Sequence, residues 1–346
     1  MREKIQNLKK TLSIVILNWN GVAYLKQFLP LLIEKTQNPD VEIVVADNGS
    51  TDDSTTVLKK NFPTVKLITF DTNYGFAEGY NKALRQLDSD YYVLLNSDVE
   101  VTDNWLSPML KYMNEHEDVA ACQPKIRSFA QRDCFEHAGA AGGFVDKYGY
   151  PFCRGRILGT VERDNGQYDS TQDIFWATGA CLFIRSKAFW EAGGLDADFF
   201  AHMEEIDLCW RLNNRGWRIV CVPESAVYHV GGGTLSVENP RKTYLNFRNN
   251  LLMLYKNLPE NQLQKTLFVR WWLDYAAAFQ LFITGKRKNA QSAIKARRDY
   301  KRMKPDFKTK RQENIKQAKT EVFCELYTKS IVVGYYLKGK KEYDAF

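Results

Sequence analysis

The chain has seven cysteines among 346 residues, but no Cys-x-x-Cys pair, and the odd total completes no disulfide framework. Scattered thiols of this kind read as reduced packing residues in a cytosolic protein. Residues 1–10 are charged with no apolar run behind them, so no signal peptide is expected. No Gly-x-Gly-x-x-Gly follows the first strand-like run, and no Gly-x-x-x-x-Gly-Lys-[Ser/Thr] occurs anywhere, which weakens dinucleotide and P-loop readings. A late aromatic stretch is interrupted by Arg270 and Asp274 and is not expected to span a bilayer. Basic charge is also unevenly spread. Of the formal +7, residues 286–346 supply more than the whole, with 18 Lys/Arg against 7 Asp/Glu, so the body is slightly acidic. A slightly acidic body with a basic tail lacks the basic channel of a nucleic-acid enzyme and fits a catalytic domain with an attachment surface.

What is present is a series of apolar strands that stop at polar side chains. Residues 12–17, 41–46, 66–70 and 91–95 read as strands, with helical patterns at 22–36, 54–61 and 77–87 between them. Short links between alternating strands and helices argue for an α/β fold with a mostly parallel sheet. Ligands collect beyond the carboxyl ends of strands in such sheets. Here those ends carry Asn20, Asp47, Asn73 and Asp98, whose oxygens suit a pyrimidine edge, ribose hydroxyls or a hard cation. Asn96 and Asp98, two apart in Asn96-Ser97-Asp98, point the same way in extended backbone and suit a divalent cation that already carries phosphate oxygens. Helical pattern resumes at 104–116, with Asp103 as the expected cap. Residues 135–159 are rich in glycine and aromatics without periodicity, as functional loops often are.

Asn18-Trp19-Asn20, Asp47-Asn48-Gly49-Ser50-Thr51-Asp52, Asn73-Tyr74-Gly75-Phe76-Ala77 and Leu95-Asn96-Ser97-Asp98 stand in an order and spacing that resembles the family 2 glycosyltransferases. The likeness is to the rhamnosyltransferase-like branch with the GT-A fold, over roughly residues 11–250. The resemblance implies that Asp47 holds the nucleotide base, with Asn20, Asn73 and Gly75 nearby. It makes Asn96-Ser97-Asp98 the metal and diphosphate motif, with Asp98 the ligand to Mg²⁺ or Mn²⁺ and Asn96 beside it. It also places Trp176 and Gly179 near the acceptor and donor sugar.

Glu204, Glu205, Asp207 and Arg211 fall within two helical turns among Phe199, Phe200, Ile206, Leu208 and Trp210. Carboxylates in apolar surroundings resist ionisation, which suits a general base near neutral pH. The family carries a Glu-Asp pair here whose second acid is the base. The resemblance therefore assigns that role to Glu205, with Glu204 its rival, while Asp207 is expected to orient Arg211 on the donor side. His229, at a strand end before Gly231-Gly232-Gly233, is expected to offer its imidazole to the metal or the leaving phosphate. Arg241, Lys242 and the run Asn246-Phe247-Arg248-Asn249-Asn250 follow, and one basic residue there is expected to neutralise the diphosphate.

Beyond residue 255 the pattern is helical. Phe268, Trp271, Trp272, Tyr275, Phe279 and Phe282 recur at helical spacing, and core packing against the catalytic domain accounts for them. Lys286, Arg287, Lys288, Lys295, Arg297, Arg298, Lys301, Arg302 and Lys304 follow, and aromatics beside a basic helix also suit an anionic membrane surface. The expected organisation is a GT-A domain over residues 1–255, with a nucleotide-sugar half to about 118, then a basic helical region over 256–346. The expected partners are a nucleoside-diphosphate sugar and a glycan or lipid-linked saccharide, at the cytoplasmic face of a membrane. The rival reading is a catalytically silent nucleotide-sugar-binding scaffold.

Overall fold

The computed structural model describes residues 10–231, 239–319 and 326–346. Four strands build the nucleotide half: β1 (Lys10–Asn18), β2 (Val41–Asp47), β3 (Lys66–Thr69) and β4 (Ser89–Leu95). All three pairings among them are parallel, in the order β4-β1-β2-β3. The inner three are buried on both faces along most of their length, which is why they read as unbroken apolar runs, whereas β3 is a largely exposed edge. Side-chain alternation then divides them between two cores. Val15, Val44, Ala46 and Leu94 join one, while Ile14, Ile16, Val45, Val93 and Leu95 join the other. Helices α1 (Val22–Lys35), α2 (Ser54–Asn61) and α3 (Gly75–Leu84) make the crossovers.

After β4 come β5 (Val99–Val101), helix α4 (Ser107–Glu115) and β6 (Val119–Ser128). Asp103 does not cap α4. Leu106 holds the cap position without a side-chain bond, because residues 104–106 first turn to bury Trp105 completely. The aperiodic stretch folds into a second, antiparallel sheet of β7 (Gly143–Val145), β8 (Pro151–Cys153), β9 (Arg156–Ile157) and β10 (Thr160–Val161). The chain re-enters the main sheet through β11 (Gln172–Asp173), β12 (Cys181–Arg185) and, beyond helices α5 (Ser186–Glu191) and α6 (Glu204–Asn214), β13 (Arg218–His229). The sheet is thus mixed: β12 runs antiparallel between β4 and β6, whereas β13 and β6 are parallel. The six described cysteines are unpaired.

Helices α7 (Pro240–Asn257), α8 (Glu260–Ile283), α9 (Arg287–Met303), α10 (Lys308–Gln317) and α11 (Ile331–Leu337) complete the chain. The expected boundary at residues 255 and 256 falls inside α7, whose Leu251, Leu252, Met253 and Leu254 belong to the catalytic core together with Tyr300 and Phe307. Among the described residues no helix is long and apolar enough to cross a membrane.

The aromatics of α8 are not core. Phe268, Trp272, Phe279 and Phe282 are all more than half exposed, while Arg270 and Asp274 on the same helix are each 2% exposed. The polar pair faces inward because it has partners there. Arg270 Nε lies 3.0 Å from Asp274 Oδ1, and its terminal nitrogen donates to the Tyr148 carbonyl at 2.8 Å and to Asn250. Arg297, expected on the basic surface, is buried against the other Asp274 oxygen.

Candidate active site

The donor loops are held by their own amides. Asn18 Nδ2 donates to Asp47 Oδ2 at 2.9 Å and the Ser50 amide to Asp47 Oδ1 at 2.9 Å, leaving Asp47 2% exposed. Asn20, at φ 52°, accepts from the amides of Thr51 and Asp52. Asn73 Oδ1 accepts from Gly75 N at 2.8 Å and from Asn48 Nδ2 at 3.1 Å. Asn20, Asp47 and Asn73 therefore fix the shape of one rim, beside which Trp19 stands 47% exposed.

At the next strand end, Asn96 N donates to the Ala180 carbonyl at 3.0 Å, tying the polar triplet to the turn before β12. β5 pairs antiparallel with β13 so that Val99 faces His229. That register sets His229 Nε2 3.1 Å from Asp98 Oδ1 and 3.4 Å from Asn96 Nδ2. The far ring nitrogen, Nδ1, stands 3.2 Å from Glu136 Oε2. Burial alone would depress the His229 pKa, but Asp98 and Glu136 outweigh it and push it up to about 10. Burial likewise opposes the Glu136 charge, and His229 overcomes it, holding that carboxyl below its ordinary value. Gly231 is required beside them: its φ is +71°, and a Cβ there would meet Glu136 Oε1 at 2.6 Å. Gly232, Gly233 and Thr234 lie outside the described residues.

Once His229 gives up the proton that Asp98 and Glu136 hold on it, the donor set of one carboxylate, one imidazole and one amide fits a divalent cation that draws its remaining ligands from phosphate oxygens and water. Among the described residues no cluster of three His, Cys, Asp or Glu side chains forms a closed metal cage.

The glutamate pair opens α6 after a strained turn. Phe200, His202 and Met203 all have positive φ, between 66° and 74°, a conformation that side-chain-bearing residues adopt only under constraint. Two constraints are visible. The Phe200 carbonyl accepts from Phe76 N at 2.7 Å and Ala77 N at 3.2 Å, at the start of α3. From α7, Asn249 Nδ2 donates to the carbonyls of Phe199, Ala201 and His202 at 2.7–2.9 Å. Glu204 is buried and Glu205 half-buried, and each has one carboxylate oxygen buried with no hydrogen-bond partner. Burial raises both pKa values; Glu205 and Asp207 add to the rise at Glu204. A Cβ on Gly179 would lie 3.9 Å from Glu205 Cβ, so Glu205 and the Asn96–Ala180 contact share one turn. Lys242, half-buried on α7, acts electrostatically on both Glu136 and His202, spanning the two halves.

Two expected donor contacts are placed elsewhere. Trp176 is 3% exposed, its indole N–H donating to the Phe144 carbonyl at 2.9 Å and its ring lying against Gly143, where a Cβ would come within 2.1 Å. Arg211 does pair with Asp207, at 2.9 Å, but its other donors go to the carbonyls of Ala192 and Gly194. Asp207 in turn accepts from Lys256 at 2.7 Å and Asn257 at 2.8 Å. Asp207 thereby locks α6 to α7 and Arg211 ties it to the turn after α5, because fully buried charges need such partners. Glu136 and Asn249 were not singled out in the sequence. Glu136 lies in an aperiodic stretch, and Asn249 stands in a run read for its basic neighbours.

The glycosyl transferase family 2 model matches residues 13–193, which include the asparagine and aspartate strand ends and the turn before β12. The chain belongs to this family. It is 28% identical over 234 residues to N-acetylglucosaminyl-diphospho-decaprenol L-rhamnosyltransferase of Mycobacterium tuberculosis, covering 63% of this chain and 75% of that protein. The crystal structure of S. aureus TarS with UDP-GlcNAc matches at TM-score 0.55 and 15% identity over 90% of this chain and 89% of that one. A Pyrobaculum calidifontis mannosyltransferase in complex with GDP-Man and Mn²⁺ matches at TM-score 0.52 and 12% identity, over 90% and 85% of the two chains. The fold of this family 2 glycosyltransferase is GT-A, with a helical C-terminal region.

Proposed function

We propose that this glycosyltransferase is inverting and metal-assisted. It moves a sugar from a UDP- or dTDP-type donor to a hydroxyl of a lipid-linked saccharide, at the cytoplasmic face of a membrane, in cell-surface polysaccharide synthesis. The observation that carries the reading is the approach of two groups to one turn, residues 178–180: the Asn96 amide of the Asn96-Asp98-His229 cluster, bonded to the Ala180 carbonyl, and the Cβ of Glu205, 3.9 Å from where a Gly179 Cβ would stand. The N-acetylglucosaminyl-diphospho-decaprenol in the mycobacterial relative's name supports the acceptor class, and the UDP-GlcNAc in TarS supports the donor class.

Asp47 and the loops around Asn20 and Asn73 receive the nucleoside, and Lys242 faces the diphosphate. Asp98 and His229 would hold a divalent cation, Mg²⁺ or Mn²⁺, which would supply positive charge against the leaving diphosphate. Glu205 takes the proton from the acceptor hydroxyl as that oxygen bonds to the anomeric carbon. The carbon–oxygen bond to the diphosphate breaks in the same displacement, its electron pair leaves with the nucleotide, and the configuration inverts. Glu205 rather than Glu204 fits the base because it is the more accessible of the two. Glu204, fully buried and repelled by two carboxylates, keeps its proton.

The test is transfer from dTDP- and UDP-sugars to a diphosphate-lipid-linked GlcNAc, with the product's anomeric configuration read by NMR. An inverted linkage formed only with divalent cation agrees with the reading. A retained linkage, or transfer undiminished by chelator, contradicts it.

A further inference from the structure

Helix α8 is amphipathic with its polarity reversed. Its inward face carries Thr266, Arg270, Asp274 and Ala278, and its outward face carries Phe268, Trp271, Trp272, Tyr275, Phe279 and Phe282. A helix usually buries its apolar stripe and solvates its charges. This one cannot be rotated into that arrangement, because Arg270 and Asp274 are bonded to Tyr148, Asn250 and Arg297 and would be stripped of those partners. The outward stripe runs from Phe268 to Phe282, fifteen positions and about 22 Å of helix. Ile283, 63% exposed, ends it. An apolar surface of this size is the signature of a docking face.

The charge beside the stripe identifies the occupant. The chain turns at Gly285 and continues as exposed Lys286, Arg287 and Lys288, and the Arg287 guanidinium carbon stands 5.5 Å over the Phe282 ring. From there α9 presents Arg298, Lys301 and Arg302 to solvent. Tryptophan, tyrosine and phenylalanine next to clustered lysine and arginine match the headgroup layer of an anionic bilayer, where rings enter the interface and cations meet phosphates. We infer that the outward face of α8, with the basic start of α9, docks the enzyme on an anionic lipid surface, with α8 lying in the plane of the membrane. The inference stands on this surface and not on the proposed chemistry, although it would hold the active site near a lipid-linked acceptor.

Co-sedimentation of the full chain with vesicles of phosphatidylcholine alone, or mixed with phosphatidylglycerol, tests it. Three proteins are compared: the wild type, Trp272→Ser/Phe279→Ser/Phe282→Ser, and Arg287→Gln/Lys288→Gln/Arg298→Gln. The expected result is binding at least about tenfold tighter to the anionic vesicles, weakened about tenfold or more by either triple substitution. Slow hydrolysis of the nucleotide-sugar donor in solution stays unchanged in both variants, which separates failure of docking from failure of the active site. No binding to either vesicle, or binding indifferent to the aromatic substitutions, overturns the inference. So does concentration-dependent self-association that the aromatic substitutions abolish without any vesicle binding, since the face then belongs to a second copy of the chain.

Discussion

Glu136 stands 3.2 Å behind His229, against the ring nitrogen opposite the one that faces Asp98. A carboxylate in that position attracts the imidazole ring and biases which ring nitrogen it offers to a cation, although Nδ1 completes no hydrogen bond to it. Glu136→Gln is therefore expected to weaken Mn²⁺ binding in the presence of nucleoside diphosphate by about 10–100-fold, with the fold retained. Titration calorimetry reads this directly. Affinity unchanged in Glu136→Gln, with Asp98→Ala abolishing it, would leave Glu136 no part in positioning the ring.

The two neighbouring glutamates separate stability from catalysis. Both carboxyls have raised pKa values, so the folded chain holds protons that the unfolded chain releases above its ordinary carboxyl pKa of 4.5. Their contribution to stability is full below pH 4.5 and is lost as pH rises through the folded values. Glu204→Gln is expected to raise the melting temperature at pH 7 and to flatten its pH dependence. Glu205→Gln is expected to lower transfer at least about 100-fold. In the wild type the acid limb of the transfer rate lies above the ordinary carboxyl range. Equal loss of transfer in both variants would return the base to an undecided pair.

The strained turn before α6 is expected to be sensitive from both sides. Gly75 has φ +78°, and a Cβ there would meet the Phe200 ring at 2.5 Å. Gly75→Ala should push Phe200 away and cost about 1–3 kcal/mol in stability. Asn249→Ala removes the donor shared by three carbonyls and should lower kcat at unchanged donor KM. Urea unfolding and steady-state kinetics distinguish the two effects. A kinetically silent Asn249→Ala would show that the turn holds its shape without α7.

The catalytic helix and the C-terminal helices are joined by charge. Lys256 Nζ lies 2.5 Å from Asp196 and 2.7 Å from Asp207, and Lys310 adds a second cation at Asp196. Burial opposes the Asp196 charge, but the two lysines outweigh it and hold its carboxyl well below the usual range. Such a group supports the fold above its unfolded pKa of 3.8, and that support is lost as pH falls through the lower folded value. Lys256→Met leaves two buried carboxylates short of a partner and should cost about 3–5 kcal/mol in urea unfolding at pH 7. A loss below 1 kcal/mol, roughly that of a surface pair, would show that the network does not bind the two parts.

Strands β1, β2 and β4 of the nucleotide half are legible in the sequence because burial on both faces leaves unbroken apolar runs. The polar residues that end them were found for the same reason. Glu136 was not, since residues 135–159 have no period and its partner is 93 positions away. The turn at Phe200, His202 and Met203 is equally hidden, because positive φ is normally signalled by glycine and here is imposed by Asn249 and the start of α3. The sequence leaves the face of α8 between core packing and an exposed surface: spacing reveals a stripe, but only the partners of Arg270 and Asp274 decide which side is buried. Trp176 shows the opposite case, an aromatic in a motif whose glycine neighbour, Gly143, comes from a distant strand.

The most direct test of the account is slow hydrolysis of a panel of UDP-, dTDP- and GDP-sugars with Mn²⁺ by the wild type, Asp98→Ala and Glu205→Gln. Release of one nucleoside diphosphate is expected from the wild type, lost in Asp98→Ala and reduced in Glu205→Gln. Release that survives Asp98→Ala, or no binding of any nucleotide by calorimetry, would contradict it.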